Sequence, residues 1–213
     1  MTAARFLRAG ERDVLVEFDS LAEVLGVRAA LERAPIAGVT DAVSGARTVM
    51  LRFNPAVTSR GAIEAALAAL EPLPAFGGGS GAPLEIPVVY DGADLGETAA
   101  LLGLSVEGLI AAHTGRTWVC AFGGFAPGFG YLVSDGPSLE VPRLETPRTR
   151  VPAGAVGLAG EFSGVYPRES PGGWRLIGRT ALPLWDLNRT PPAVLTVGTA
   201  VRFRRAAAAG IPA

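Results

Sequence analysis

The sequence predicts two parts: a compact α+β unit of ferredoxin-like order, then a mainly-β domain built as a barrel or sandwich. Three observations carry this. The first 70 residues run strand, helix, strand, strand, helix, the order of a split β-α-β unit. Residues 71–82 read Glu-Pro-Leu-Pro-Ala-Phe-Gly-Gly-Gly-Ser-Gly-Ala, a linker composition. Beyond Thr117 helix signals stop, and short apolar runs alternate with Gly and Pro turns. The boundaries are therefore a small α+β domain over 1–75, a Gly/Pro linker over 76–83, a β domain over 84–205 and a tail over 206–213.

In chain order, Arg5–Ala9 and Asp13–Phe18 read as strands around a turn at Gly10-Glu11. Asp19 or Ser20 can cap a helix over Leu21–Arg33, which Pro35 and Gly38 stop. Val39–Val43 and Thr48–Phe53 read as strands, and Thr58 or Ser59 opens a second helix through Leu70. The Gly-Gly-Gly-Ser-Gly run has no Lys and no helix start after it, so it reads as linker rather than phosphate cradle. Leu84–Val89 is a strand, and Asp94–Leu102 and Ser105–Thr114 are short helices divided by Gly103. The later strands are Trp118–Phe122, Val156–Ala159, Leu176–Leu184, Val194–Val197 and Ala200–Phe203.

Composition excludes several chemistries. Every one of the 19 basic residues is Arg. That removes a Schiff-base lysine, a biotinylated lysine and the P-loop. A single His and a single Cys leave no two-histidine zinc site, no internal disulfide and no C-x-x-C, and no metal site is expected. A net charge of −1 gives no electrostatic footprint for nucleic acid. Arg and acidic residues interrupt every apolar stretch short of a membrane span, and the first residues lack the apolar core of a signal peptide. The expectation is a soluble cytoplasmic protein.

Gly, Pro, Arg and aromatics concentrate in four segments: Gly124–Leu132, Pro147–Gly154, Gly164–Trp174 and Ile177–Thr180. Pro-Gly turns beside aromatics make rigid loops that present large side chains at low entropic cost. Arg supplies a planar fork for carboxylate or phosphate. Together they point to a pocket for a small anionic substrate; the alternative is that the turns close barrel corners and the arginines pair with surface acids. Arg148 and Arg150, two apart on a strand, would point the same way, and Arg179 is the third anion-binding candidate. Otherwise these arginines pair with Glu145, Glu161 or Glu169. Pro127, Gly128, Phe129, Tyr131, Tyr166, Gly172, Gly173 and Trp174 are candidates for the pocket wall. The three large aromatics Tyr131, Tyr166 and Trp174 are alternatively candidates for a contact between subunits. Ser170 is the hydroxyl best placed to meet ligand. His113, at a predicted helix end, can act as acid or base near neutral pH or serve the helix C-terminus as a cation. Cys120, mid-strand, reads as a buried thiol.

The run TPRTRVPAGAVGLAGEFSGVYPRESPGGWRLIGRT, preceded by Pro142-Arg143 and by GFAPGFGYL, resembles the 5-oxoprolinase B-subunit family. That family also holds the protein called allophanate hydrolase subunit 1 and a sporulation histidine-kinase inhibitor. The likeness spans nearly the whole chain and is strongest from about His113 to Phe203; the family pattern also has a His at position 113. Two departures stand out: a Gly in Gly123-Gly124-Phe125 where a bulky residue is commoner, and Val-Ser-Asp after Leu132 in place of a Gly-rich stretch.

The resemblance implies a cyclophilin-like β-barrel behind the small α+β domain. It implies a non-autonomous subunit of an ATP-dependent enzyme that opens 5-oxoproline to glutamate. The partners would be two further proteins, one like that enzyme's C subunit, the other like its A subunit. ATP, with Mg, would act in the assembled complex, since this chain carries no nucleotide-binding motif. Read from the residues themselves, His113, Arg148 and Arg179 are the catalytic candidates of such an enzyme, the arginines clamping a lactam phosphate or carboxylate. Two other readings stay open. One is inhibition of a sporulation-type histidine kinase through an aromatic patch around Phe125–Tyr131. The other is carboxyl transfer in urea or allophanate metabolism, with biotin on another chain.

Overall fold

The computed structural model describes residues 4–73, 82–134, 136 and 138–207. The chain separates into compact units of residues 1–77 and 78–213. The expected linker falls outside the described residues except for Ala82 and Pro83, and the expected tail does so from residue 208.

The first unit runs β1 (Arg5–Arg8), β2 (Asp13–Glu17), α1 (Leu21–Arg33), β3 (Val39–Ser44), β4 (Thr48–Phe53) and α2 (Arg60–Ala69). Its strands form one antiparallel sheet in the order β1-β2-β4-β3. Alternation sets which face is buried: Val14 and Val16 on β2, and Val49, Leu51 and Phe53 on β4, turn inward. Val24, Val27 and Leu31 of α1 and Ile63 and Leu67 of α2 complete that core. Ser20 and Ser59 cap the helices, each hydroxyl accepting an N–H three residues on at 3.3 Å.

The second unit runs β5 (Leu84–Val88), α3 (Leu95–Leu101), α4 (Val106–Thr114), β6 (Trp118–Gly123), β7 (Gly130–Ser134), β8 (Arg148–Val151), β9 (Ala155–Ala159), β10 (Phe162–Val165), β11 (Ser170–Gly172), β12 (Arg175–Arg179) and β13 (Ala200–Arg205). Seven strands make one sheet, β12-β9-β10-β7-β6-β13-β5, antiparallel except for β13 with β5. Its two edges meet where Val89 and Arg179 exchange a pair of 2.9 Å backbone hydrogen bonds. The sheet is thus a nearly closed barrel. The closure requires a residue without a side chain beside it, since a Cβ on Gly178 would stand 2.5 Å from the Val89 carbonyl. β8 and β11 form a separate two-stranded ribbon.

Three strands were not expected from sequence. β7 (GYLVS), β10 (FSGV) and β11 (SPG) contain Gly or Pro, which mask the alternation that marks a strand. Two expectations are corrected. The run Leu176–Leu184 is a strand only to Arg179. Val194–Val197 is not a strand: it leads into a turn at Gly198, where Thr196 and Thr199 bond one another through their side chains and the Gly198 N–H reaches the Cys120 carbonyl.

The barrel interior is filled by Ile86, Trp118, Leu132, Leu158, Ile177 and Phe203, with Leu95 and Leu109 of the helices against them. A second apolar cluster, holding Phe129, Val151, Tyr166, Trp174 and Leu176, supports the candidate site.

Candidate functional site

The candidate site starts at the loop joining β6 to β7. Gly123 pairs with Gly130, so the six residues between them form the hairpin's loop. Gly128 adopts φ +86°, a left-handed conformation that glycine alone takes without strain. The turn drives Phe129 inward until it is 3% exposed. Its ring is the hub of an aromatic cage, meeting Phe125, Tyr131, Tyr166 and Trp174 edge-to-face at centroid distances of 5.1–5.5 Å. The cage closes tightly because β10 carries Gly164, where a Cβ would stand 2.9 Å from the Phe129 ring and 3.0 Å from Trp174.

These rings enclose one side of a cavity of about 110 Å³, lined by Phe125, Phe129, Tyr131, Arg143, Tyr166, Gly172, Gly173 and Trp174. Among the described residues Arg143 is the single charged one in that lining, and no carboxylate, imidazole or thiol stands with it. Burial raises the Tyr166 hydroxyl above the usual tyrosine range, opposed by a backbone hydrogen bond from Trp174 and by the positive charges of Arg143 and Arg148. Phe125 is the rim: it is 55% exposed and non-glycine, yet holds φ +63°. Such strain persists where the surrounding structure enforces it.

Six of the sequence-derived candidates therefore converge: Phe129, Tyr131, Tyr166, Gly172, Gly173 and Trp174. Pro127 and Gly128 shape the loop without lining the cavity. The arginines singled out from sequence are engaged elsewhere. Arg148 donates to Asp94 at 2.6 Å, and the other oxygen of that carboxylate accepts the Leu176 N–H at 2.7 Å. Arg150 grips Glu169 through two hydrogen bonds of 3.1 and 2.8 Å. Arg179 pairs with Asp91 at 3.0 Å. The Ser170 hydroxyl donates to the Arg168 carbonyl at 3.1 Å.

His113 is fully buried on α4. Its Nδ1 lies 2.7 Å from the Tyr90 hydroxyl and its Nε2 2.9 Å from Ser163, while its ring stacks on Phe203 at 4.2 Å. Burial first, and then the charge of Arg116, lowers its pKa to about 3, so the ring is neutral at physiological pH. Sequence reasoning missed Phe125 and Arg143 as wall residues. Phe125 lies in a segment marked by aromatics, while Arg143 precedes the next such segment and lacks the i, i+2 strand spacing that singles out Arg148 and Arg150.

The arrangement suits a small flat molecule with one negative substituent: apolar edges for the body, a guanidinium for the charge. The wall carries no general base, so acid–base chemistry on a bound molecule requires groups from outside this lining.

Comparison with known proteins bears on the family of the chain. The family described as carboxyltransferase domain, subdomain C and D, matches residues 4–195. The chain is 40% identical over 218 residues to the 5-oxoprolinase B subunit of Escherichia coli O157:H7, covering 95% of this chain and 96% of that protein. The chain belongs to the 5-oxoprolinase B-subunit family. Among solved structures, TTHA0988 is 38% identical with a TM-score of 0.72. The match covers 100% of this chain but 42% of TTHA0988, so the chain spans about two-fifths of that relative. The Kluyveromyces lactis urea amidolyase shares the fold at 18% identity and a TM-score of 0.68, over 95% of this chain and 15% of that one.

Proposed function

We propose that the chain is a non-autonomous subunit of an ATP-dependent 5-oxoprolinase. It acts with two partners, of the C and A types, to convert 5-oxoproline to glutamate in the cytoplasm. The observation that carries this is the 40% identity to a named B subunit over almost the full length of both proteins. The aromatic cavity with its arginine is the site at which this chain would contribute to substrate binding. Its volume, about 110 Å³, is below the roughly 300–1,000 Å³ of typical ligand pockets and suits a small ring. ATP, with Mg, would act in the assembled complex; this chain carries no nucleotide-binding motif. Hydrolysis of a cyclic amide at neutral pH needs an activated carbonyl and an attacking water; this chain supplies the wall that orients the ring and excludes water from its body.

The order β1-β2-β4-β3, with α1 leading from β2 to β3 and β4 lying between those two strands, supports a ferredoxin-like description of the first unit. The nearly closed barrel supports a cyclophilin-like description of the second. The test is glutamate release from 5-oxoproline and ATP by this chain alone, by the two partner chains without it, and by all three. Activity confined to the full set is expected; an inactive full set, with magnesium present, refutes the reading.

A second reading, carboxyl transfer on a urea-derived substrate, is favoured by the matching family's description and by the shared urea amidolyase fold. With no lysine in this chain, it needs biotin on another protein. Loss of the complex's activity on adding avidin would support it over the hydrolase reading.

A further inference from the structure

We propose that Arg143 is the residue that recognises the carboxylate of the cyclic-amide substrate, with the ring held against Phe129, Tyr131 and Trp174. This rests on the 5-oxoprolinase reading and names which of the chain's many arginines makes the recognition.

Arg148, Arg150 and Arg179 already hold Asp94, Glu169 and Asp91. Recruiting any of them would mean breaking an existing pair first. Arg143 forms no ion pair and no side-chain hydrogen bond among the described residues, and it is exposed at the cavity it lines. Among the described residues no acid belongs to the same lining, so an incoming anion meets neither a competitor for Arg143 nor a like charge there.

The shape of the wall then restricts what the anion is attached to. A cavity of about 110 Å³ corresponds to about four displaced waters, a space that a small ring fills. The aromatic surface disfavours a bare hydrated ion, because desolvation is not repaid there by hydrogen bonds. The Tyr166 hydroxyl stands against Gly172 in the same wall and offers a neutral polar partner for the amide. An apolar ring, one amide and one carboxylate match these surfaces group for group. A guanidinium binds a carboxylate in two parallel hydrogen bonds, so Arg143 would also fix which way the ring faces.

The experiment uses the complete enzyme assembled from this full-length chain and its partner chains. Turnover of 5-oxoproline is measured with the wild-type chain, with Arg143→Gln, with Arg143→Lys and with Arg168→Gln, an exposed arginine outside the cavity lining. The neutral ring 2-pyrrolidinone, which lacks the carboxylate, serves as competitor. Arg143→Gln is expected to raise KM for 5-oxoproline about 10- to 100-fold with kcat within a few-fold, the loss of a charge-assisted hydrogen bond. Arg143→Lys recovers part of that loss, Arg168→Gln matches wild type, and inhibition by 2-pyrrolidinone is unchanged by Arg143→Gln. Thermal melting establishes that each variant is folded. An active wild-type complex whose KM is insensitive to Arg143→Gln overturns the anchor and leaves the hydrolase reading standing. A fall in kcat at constant KM also overturns the anchor. An inactive wild-type complex refutes the hydrolase reading, and the anchor with it.

Discussion

Replacing Asp94 with alanine removes one carboxylate that joins three separated parts of the barrel unit. Asp94 precedes α3, its Oδ1 receives Arg148 of β8 at 2.6 Å, and its Oδ2 receives the backbone N–H of Leu176 on β12 at 2.7 Å. The aspartate side chain is 7% exposed and the arginine 29%. Removing one member of a buried pair costs roughly 3–5 kcal/mol, because the other charge stays behind unpaired. Arg148 already has a buried Nη1 without a partner, so it has no second acceptor to turn to. Its partial exposure lets water recover some of the loss, which selects the lower end, about 3 kcal/mol. No helix-capping contribution is added, since the Asp94 side chain makes no cap hydrogen bond. At about 3 °C per kcal/mol for a unit of this size, melting falls by about 10 °C. Arg150→Ala is the comparison: its pair with Glu169 is exposed on both sides, so its effect stays within about 0.5 kcal/mol. The assay is thermal unfolding of the full chain by circular dichroism. Asp94→Asn, which keeps an acceptor for Leu176, should fall between. The reasoning is refuted if Asp94→Ala melts within about 2 °C of Arg150→Ala.

Three further outcomes are expected. Gly172→Ala places a methyl group on the Tyr166 hydroxyl, and overpacking of this kind costs about 1–3 kcal/mol; unchanged melting and unchanged tryptophan emission would refute the contact. His113 is the chain's only histidine, with a folded pKa of about 3 against 6.5 for its unperturbed group. Between those values the unfolded chain binds a proton that the folded chain does not, so this contribution is complete above pH 6.5 and is lost as pH falls toward 3. Urea titrations should show about 2 kcal/mol less stability at about pH 5 than at about pH 7, and a His113→Gln chain should lose that dependence. Finally, burial pushes the Cys120 thiol up to about 12, so a thiol reagent at about pH 8 should leave the native chain unlabelled and react only after denaturant is added.

The parts of this molecule that were legible in sequence are those set by neighbouring residues. Ser20 and Ser59 cap helices through N–H groups three residues away, and cap chemistry is local. The aromatic wall was legible because Phe129, Tyr131, Tyr166 and Trp174 sit beside glycines and prolines that have no role as solvent-facing filler. Choosing among arginines was not possible in the same way. Arg148 is neutralised by an acid 54 positions earlier and Arg179 by one 88 positions earlier, so the residue left over at the cavity emerges only after the chain has folded. The strands β7 and β10 were hidden for a related reason. Their glycines serve close approach rather than burial pattern, and the Gly164 contact with Phe129 and Trp174 joins residues from three elements or loops.

The meeting of Val89 with Arg179 makes the barrel a curled ribbon held by one clasp. Along this seam no ladder runs between the two edge strands; the contact is one reciprocal pair of backbone bonds, reinforced beyond it by the Asp94 N–H on the Leu176 carbonyl at 2.9 Å. Uncurling there needs no strand to leave the sheet, so these two amides should trade their hydrogens with solvent sooner than the core amides of β9 and β6. The Arg179 side chain reaches Asp91 just beyond the same clasp, so one residue closes the ring of strands with its backbone and braces the closure with its side chain.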